Sequence, residues 1–256
     1  MLLLLKRAAA AGITPDAATG SITCSEYGLR SWRAIVTTMR LERVAGVDGC
    51  RAGWLVITAL AGPSLRLLDV TAVSRFETVL ESTQDCAAVG VDIPIGLSAA
   101  GPRSADRLAR RRLGRPRGSS VFPAPARAVL ACTDYASACS ASLATLGVRI
   151  SRQTFNILPK IAEVDAALTP ALQSRVFEVH PELSFAALNA GRAPPEGKRS
   201  AGGRRAREAL LAAAYDLDPA TLPVPAGAAR DDLYDALAVA WSAARVVAGT
   251  AERLPE

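Results

Sequence analysis

The apolar positions from residue 43 onward fall first into short runs with the spacing of strands. Arg43–Asp48 (RVAGVD) and Arg51–Ala59 (RAGWLVITA) predict two strands around a turn at Gly49. Leu65–Val70 predicts a third strand, and Thr71–Leu80 a short helix with Thr71 or Ser74 as its cap. Ala87–Ile93 (AAVGVDI) is nearly continuous in apolar residues and is ended by Pro94, the signature of a strand buried on both faces. Residues 101–170 change character. They are rich in Arg, Ala, Ser and Pro, and helical spacing recurs at Ser104–Leu113, Asp134–Leu146 and Leu158–Ala167, which predicts a helical insertion between strands. Arg175–Val179 (RVFEV) returns to strand, and Ser184–Gly191 is a short helix. Residues 192–203 are a basic loop, Arg204–Tyr215 is a helix, residues 217–227 are a Pro-rich connection, and Arg230–Ala248 is a final helix stopped by Gly249. Strands alternating with helices in this way predict an α/β sheet of mixed direction.

Composition narrows the function classes. Half of the 256 residues are apolar, enough for a full core and too many for a disordered chain. No apolar run approaches the roughly 20 residues needed to span a bilayer, so no membrane role is expected. The formal net charge is +6, carried almost wholly by arginine, because Lys6, Lys160 and Lys198 are the only lysines. Arginine and alanine enrichment fits base-composition bias as well as a phosphate-facing surface. Cys24, Cys50, Cys86, Cys132 and Cys139 contain no CxxC pair, and His180 is the only histidine, which excludes the usual zinc spacings. These cysteines read as reduced thiols and the compartment as cytoplasmic. MLLLLKRAAAAG has its leucines before its basic pair, and four leucines are too short for the apolar core of a signal peptide, so residues 1–42 read as a disordered N-terminal extension before a domain at 43–250.

Five acidic residues stand out by their surroundings. Asp48 ends the first strand, Asp92 lies near the end of the buried strand, and Glu178 lies inside RVFEV. Asp232 and Asp235 begin the last helix three residues apart, so both project from one helical face. Any one of these fits a structural acid, and acids in a first helical turn complement the helix dipole, with Asp231 as the expected cap. Together they are harder to explain that way, since an ionised carboxylate on a buried strand is costly unless paired or metal-bound. Carboxylates without His or Cys partners favour hard cations such as Mg²⁺ or Mn²⁺. Residues 103–117 hold seven arginines, with Arg103, Arg107 and Arg110 on one helical stripe.

The strings GVDGCRAGW (Gly46–Trp54), VDIPIGL (Val91–Leu97), EVHPELSF (Glu178–Phe185) and DDLYDALA (Asp231–Ala238) together resemble domain-of-unknown-function family 429, whose members are described as predicted nucleases of ribonuclease-H-like fold. RSADRLARRRLG, SSVFPAPAR and QTFNILPKIAEVD match as well, and the resemblance covers roughly residues 43–248. It implies a ribonuclease-H-like mixed sheet flanked by helices, with a helical insertion after the fourth strand. Asp48 would then lie on the central strand with Asp92 beside it on the fourth. Asp232 and Asp235 on the last helix would resemble the acids of junction-resolving nucleases, and Glu178 or Glu182 would complete the set. Asp48, Asp92, Asp232 and Asp235 are the expected metal ligands, and His180 is placed to activate or orient water. Arg103, Arg110, Arg127, Lys160 and Lys198 are the expected contacts to substrate phosphate. The expected activity is two-metal hydrolysis of phosphodiester bonds in a nucleic acid of unspecified type.

Two other readings share the same core. Sugar-kinase and actin-like phosphotransferases carry a Gly plus Ser/Thr loop after the first aspartate, where this chain has Cys50, Arg51 and Ala52, and no second Gly-rich phosphate loop follows. A non-catalytic nucleic-acid or partner-binding domain would keep the acids for structure alone.

Overall fold

The computed structural model describes residues 41–255 together with two short segments nearer the N-terminus. Those segments, Thr14–Pro15 and Ile22–Thr23, pair antiparallel in a unit of their own. The expected disorder of residues 1–42 otherwise lies outside the described residues.

From residue 42 onward the chain is one unit. β1 (Arg43–Cys50) and β2 (Gly53–Leu60) form a hairpin in which Cys50 pairs with Gly53 across Arg51 and Ala52. β3 (Arg66–Val73) runs antiparallel to β2, with a register irregularity at Thr58/Ala59. β4 (Ala88–Val91) lies parallel to β1, and β5 (Val176–Glu178) parallel to β4. The sheet order is therefore β3-β2-β1-β4-β5. A three-stranded meander extended on one side by two parallel strands is the ribonuclease-H-like arrangement that the family resemblance implies.

Strand alternation explains how this sheet is covered. Val44, Leu55 and Ile57 point to one face, where they pack with Leu211, Leu233 and Leu237. Ala45, Val47, Trp54 and Val56 point to the other, against Phe76, Ile161 and Val164. The first face is covered by α8 (Arg230–Val247), with α6 (Pro181–Leu188) and α7 (Ala201–Tyr215) beside it. The second is covered by α1 (Phe76–Ser82) and by α3 (Tyr135–Leu146), α4 (Arg152–Asn156) and α5 (Leu158–Ala167). Much of the expected insertion is thus half of the core: Val129, Ala138, Ile150 and Leu158 are all buried in it. Only α2 (Ser104–Leu113) stands apart, over a small satellite cluster of Ala109, Leu113, Val121 and Ala186.

Three local expectations are corrected. The helix expected over Thr71–Leu80 begins only at Phe76, because Thr71, Ala72 and Val73 continue the ladder opposite Val56, Leu55 and Trp54. The helix expected from Ser184 begins at Pro181, where proline suits the first helical position and His180 supplies the cap. The basic loop ends at Ser200, whose hydroxyl accepts from Gly203 N–H and starts α7 there. The described cysteines Cys50, Cys86, Cys132 and Cys139 are free thiols, and no described helix is long and apolar enough to cross a membrane.

Candidate metal centre

Asp48 is on the α8 side of β1, by alternation from Val44 and Gly46. That side has room for a helix backbone because Gly46 has no side chain: a Cβ there would lie 2.2 Å from Ala236 O and from Ala240 N. Asp92 directly follows β4, and its N–H extends the parallel ladder by donating to Val47 O at 2.9 Å. Asp235 lies in the second turn of α8, facing back onto these strand ends. The three carboxylates offer oxygens that all lie within 4.8 Å of one another. Asp48 is 8% exposed and Asp235 5%, while Asp92 is partly open.

Gathering three like charges in a buried place shifts their titration. Burial pushes Asp48 well above the usual carboxylate range, and the charges of Asp92 and Asp235 push it further. Burial, then Asp235, does the same to Asp92. Asp235 is raised to about 6 by burial, against the opposing pull of Lys198. The Lys198 ammonium donates to Asp235 Oδ2 at 2.6 Å. Burial disfavours its charge, but the facing carboxylates outweigh that and hold it protonated. Among the described residues no hydrogen-bond donor reaches the Asp48 or Asp92 carboxylate. One ammonium against three carboxylates leaves a deficit of positive charge that a cation fits. Oxygen-only donors at this separation suit a hard ion held at about 2.0–2.6 Å from each.

A pH dependence follows. These carboxyls bind protons more tightly in the folded chain than in the unfolded one. Their contribution to stability is therefore fully present below the unfolded value near 3.8 and is lost as pH rises through the folded values, for Asp235 about 6. In the presence of chelator, the melting temperature is expected to be higher at pH 5 than at pH 7.5. A saturating divalent cation should reverse that order, and a melting temperature that is flat or lower at pH 5 in chelator would refute the arrangement.

The other acids singled out from the sequence have different partners. Asp232 lies outside the three-carboxylate group and accepts Ala229 N–H at 2.8 Å, so it, and not Asp231, closes the start of α8. Burial raises it, against that N–H. Glu178 accepts Arg103 Nη2 at 2.7 Å on one oxygen, and Arg103 Nη1 at 2.8 Å and Ile95 N–H at 2.9 Å on the other. Arg103 also holds Asp106 at 2.6 Å, with only 8% of its side chain exposed, so it fastens α2 to the end of β5 and does not face solvent. His180 Nδ1 accepts Glu182 N–H at 3.2 Å, which leaves Nε2 to donate toward Ser120 O at 3.4 Å. Burial lowers its pKa and keeps it neutral. It lines a cavity of about 380 Å³ between α2, α6 and the C-terminal tail.

Of the expected phosphate contacts, Lys198 stands at the acid cluster. Lys160 lies over Trp54, 4.7 Å from the ring centroid, with its ammonium on Gly53 O across the β1–β2 turn. Its charge lowers Asp232, which puts it near the start of α8. Arg127 pairs with Asp165, and Arg110 donates Nε to Val121 O at 2.8 Å.

Sequence reasoning missed Arg207. Its guanidinium is 1% exposed and bonds Glu182 Oε1 at 2.5 Å, while Glu182 Oε2 has no partner among the described residues. Arg207 Nη1 also donates to Glu196 O and Gly203 O, tying the loop that carries Lys198 to α7. A signal was present: Gly203, Arg207, Leu211 and Tyr215 recur every fourth residue, so the arginine sits in the buried register of an otherwise apolar stripe. Glu163, within the matching stretch QTFNILPKIAEVD, is half-buried and acts as a structural anchor, accepting Trp54 Nε1 at 3.1 Å and Phe76 N–H at 2.5 Å.

Residues 46–256 match the family described as "Protein of unknown function (DUF429)". No curated protein matches the chain. Among solved structures, Thermus thermophilus RuvC is similar over 82% of this chain and 98% of its own, at 16% identity and a TM-score of 0.37. A T. thermophilus RuvC structure in complex with a Holliday junction substrate is similar over the same shares, at 16% identity and a TM-score of 0.38.

Proposed function

The chain belongs to the DUF429 family of proteins of unknown function, and from that premise and its own site we propose that it is a divalent-cation-dependent hydrolase of phosphodiester bonds in nucleic acid. The observation that carries this reading is the convergence of Asp48, Asp92 and Asp235, oxygens within 4.8 Å, from the central strand, its parallel neighbour and the covering helix. Keeping three like carboxylates together, two of them buried, is unfavourable for a metal-free fold, and a purely structural role would place donors on them, as Arg103 does for Glu178. Asp48, Asp92 and Asp235 would hold Mg²⁺ or Mn²⁺, with Asp232 the next acid outward on α8. One ion, or the pair expected from the sequence, would lower the pKa of a water and polarise a phosphoryl oxygen.

The chain's own groups prepare for a phosphate. Lys198, 41% exposed in its side chain, presents a fixed positive charge at the cluster rim, and Lys160 on α5 brings another to the hairpin turn. Arg103 and Glu178 brace the loop after Asp92 through the backbone of Ile95, while the Asp92 N–H is itself held by Val47 O. His180, with both ring nitrogens engaged, fixes the start of α6.

The test is calorimetric titration of Mn²⁺ into wild type, Asp48→Asn and Asp235→Asn, followed by cleavage of RNA, DNA and hybrid strands. Wild type is expected to bind Mn²⁺ and to cut at least one polymer only when it is present, and both variants to lose binding. Absence of Mn²⁺ binding by wild type would overturn the reading. ATP hydrolysis without polymer cleavage would replace it with phosphotransfer. Nucleic-acid affinity indifferent to chelator and to Asp48→Ala, with no turnover, would replace it with a binding domain.

A further inference from the structure

We propose that the arginine-rich surface running from α2 to the start of α7 is a docking strip for the phosphate backbone of a nucleic-acid duplex. The inference rests on the hydrolase reading in one respect, that the strip delivers its phosphates to the acid cluster.

The strip is built from three segments. Asp106, Ala109 and Leu113 form the buried face of α2, and Arg107, Arg110 and Arg111 lie outside it. Arg110 donates to Val121 O, which directs this side of the helix toward the turn over residues 117–121. Arg112 points the other way, to Glu252 and Gly191 O, and is not part of the strip. Beyond the helix, Arg117 Nη2 donates to Pro195 O at 3.5 Å, and its guanidinium lies 3.3 Å from where a Cβ of Gly197 would be. The turn after α2 therefore abuts the loop before α7. In that loop Lys198 pairs with Asp235, and Arg199, Arg204 and Arg205 follow on the outer surface. One end of the strip is thus fixed at the acid cluster.

Base-composition bias alone scatters arginines among carboxylates. Here the exposed arginines of α2's outer side, Arg115 and the three after Lys198 make no ion pair among the described residues. Within 103–117 and 195–205 the sole exposed acid is Glu196, and its carboxylate accepts the Ser200 hydroxyl. So many uncompensated guanidiniums repel one another unless anions lie between them. Neither segment contains an aromatic residue. Single strands are held largely by bases stacking on aromatic side chains, of which this surface has only the neighbouring Phe122. Guanidiniums along a ten-residue helix, about 15 Å, instead match backbone contacts to the closely spaced phosphates of a duplex.

The test is fluorescence anisotropy in chelator with labelled 30-base-pair DNA and RNA duplexes and a 30-nucleotide single strand, across a salt series. Wild type is compared with Arg107→Gln/Arg111→Gln/Arg115→Gln and with Arg66→Gln/Arg75→Gln/Arg149→Gln, which removes equal charge elsewhere. The strip variant is expected to bind duplex at least about tenfold more weakly and to lose about 0.9 per contact from the slope of log K against log salt. The control variant should keep most of the wild-type slope, and Mn²⁺ titration should be unchanged in both. Equal losses in the two variants, undiminished duplex binding by the strip variant, or tighter binding of the single strand by wild type would each overturn the proposal. Failure of the hydrolase reading would show separately, as intact duplex binding without Mn²⁺ uptake or cleavage.

Discussion

Asp92→Asn is expected to melt at a higher temperature than wild type when cations are removed, and to lose metal-dependent cleavage. The substitution keeps the side chain's shape and removes a charge that burial and Asp235 both disfavour. It breaks no hydrogen bond, since no donor reaches that carboxylate among the described residues. Each kcal/mol relieved is worth about 2–4 °C in a domain of this size. Asp48→Asn should behave in the same way for the same reasons. Asp235→Asn should not, because it leaves the Lys198 ammonium without its 2.6 Å partner and so exchanges one uncompensated charge for another. Saturating Mn²⁺ should reverse the ranking: wild type gains about 2.7 kcal/mol at a hundredfold excess over Kd, and the variants gain nothing. Hydrolysis should fall by more than the roughly 10–100-fold that outer-shell changes cost. Differential scanning fluorimetry with chelator and with Mn²⁺ reads all of this. If Asp92→Asn or Asp48→Asn melts lower than wild type in chelator, the carboxylates stabilise the fold themselves and the metal centre is refuted.

What the sequence made legible was local or periodic. AVGV before Asp92 shows burial on both faces because a central parallel strand has no solvent side, and the structure places it between β1 and β5. Asp48 is legible for the same reason, as a charge at the end of an apolar strand. What stayed hidden depends on partners far along the chain. Nothing near Glu178 reveals that Arg103, 75 residues earlier, occupies both of its oxygens. Nothing near Lys198 reveals Asp235, 37 residues later. The capping error had a different origin: Asp231 and Asp232 are both reasonable first-turn acids, and only the backbone geometry of Ala229 selects Asp232. Arg207 was hidden by convention, because a charged residue on a helix reads as solvated even where its fourfold spacing places it inside.

The most damaging single change is expected far from any charge, at Gly46. A methyl group there would stand 2.2 Å from the backbone oxygen of Ala236 and the backbone nitrogen of Ala240, so no side-chain rotation relieves it. Either β1 or α8 must move. α8 is the wrong element to displace, since Leu233, Leu237 and Ala240 are fully buried in the core beneath it. Gly46→Ala should therefore cost more than the roughly 1–3 kcal/mol of ordinary overpacking, a fall of at least several degrees in melting temperature. Gly90→Ala meets Val239 Cγ1 at 2.7 Å and Val239 O at 3.0 Å, a mixed contact that a side-chain shift partly accommodates, so it should cost less. The functional consequence follows from geometry. Asp48 is two residues beyond Gly46 on β1, and Asp235 adjoins the Ala236 that the methyl would strike. Prying the helix from the strand separates the two carboxylates, so Gly46→Ala protein that still folds at low temperature should bind Mn²⁺ more weakly than Gly90→Ala protein. Equal melting temperatures and equal Mn²⁺ affinities for the two variants would show that the close approach of β1 and α8 does not set the metal centre.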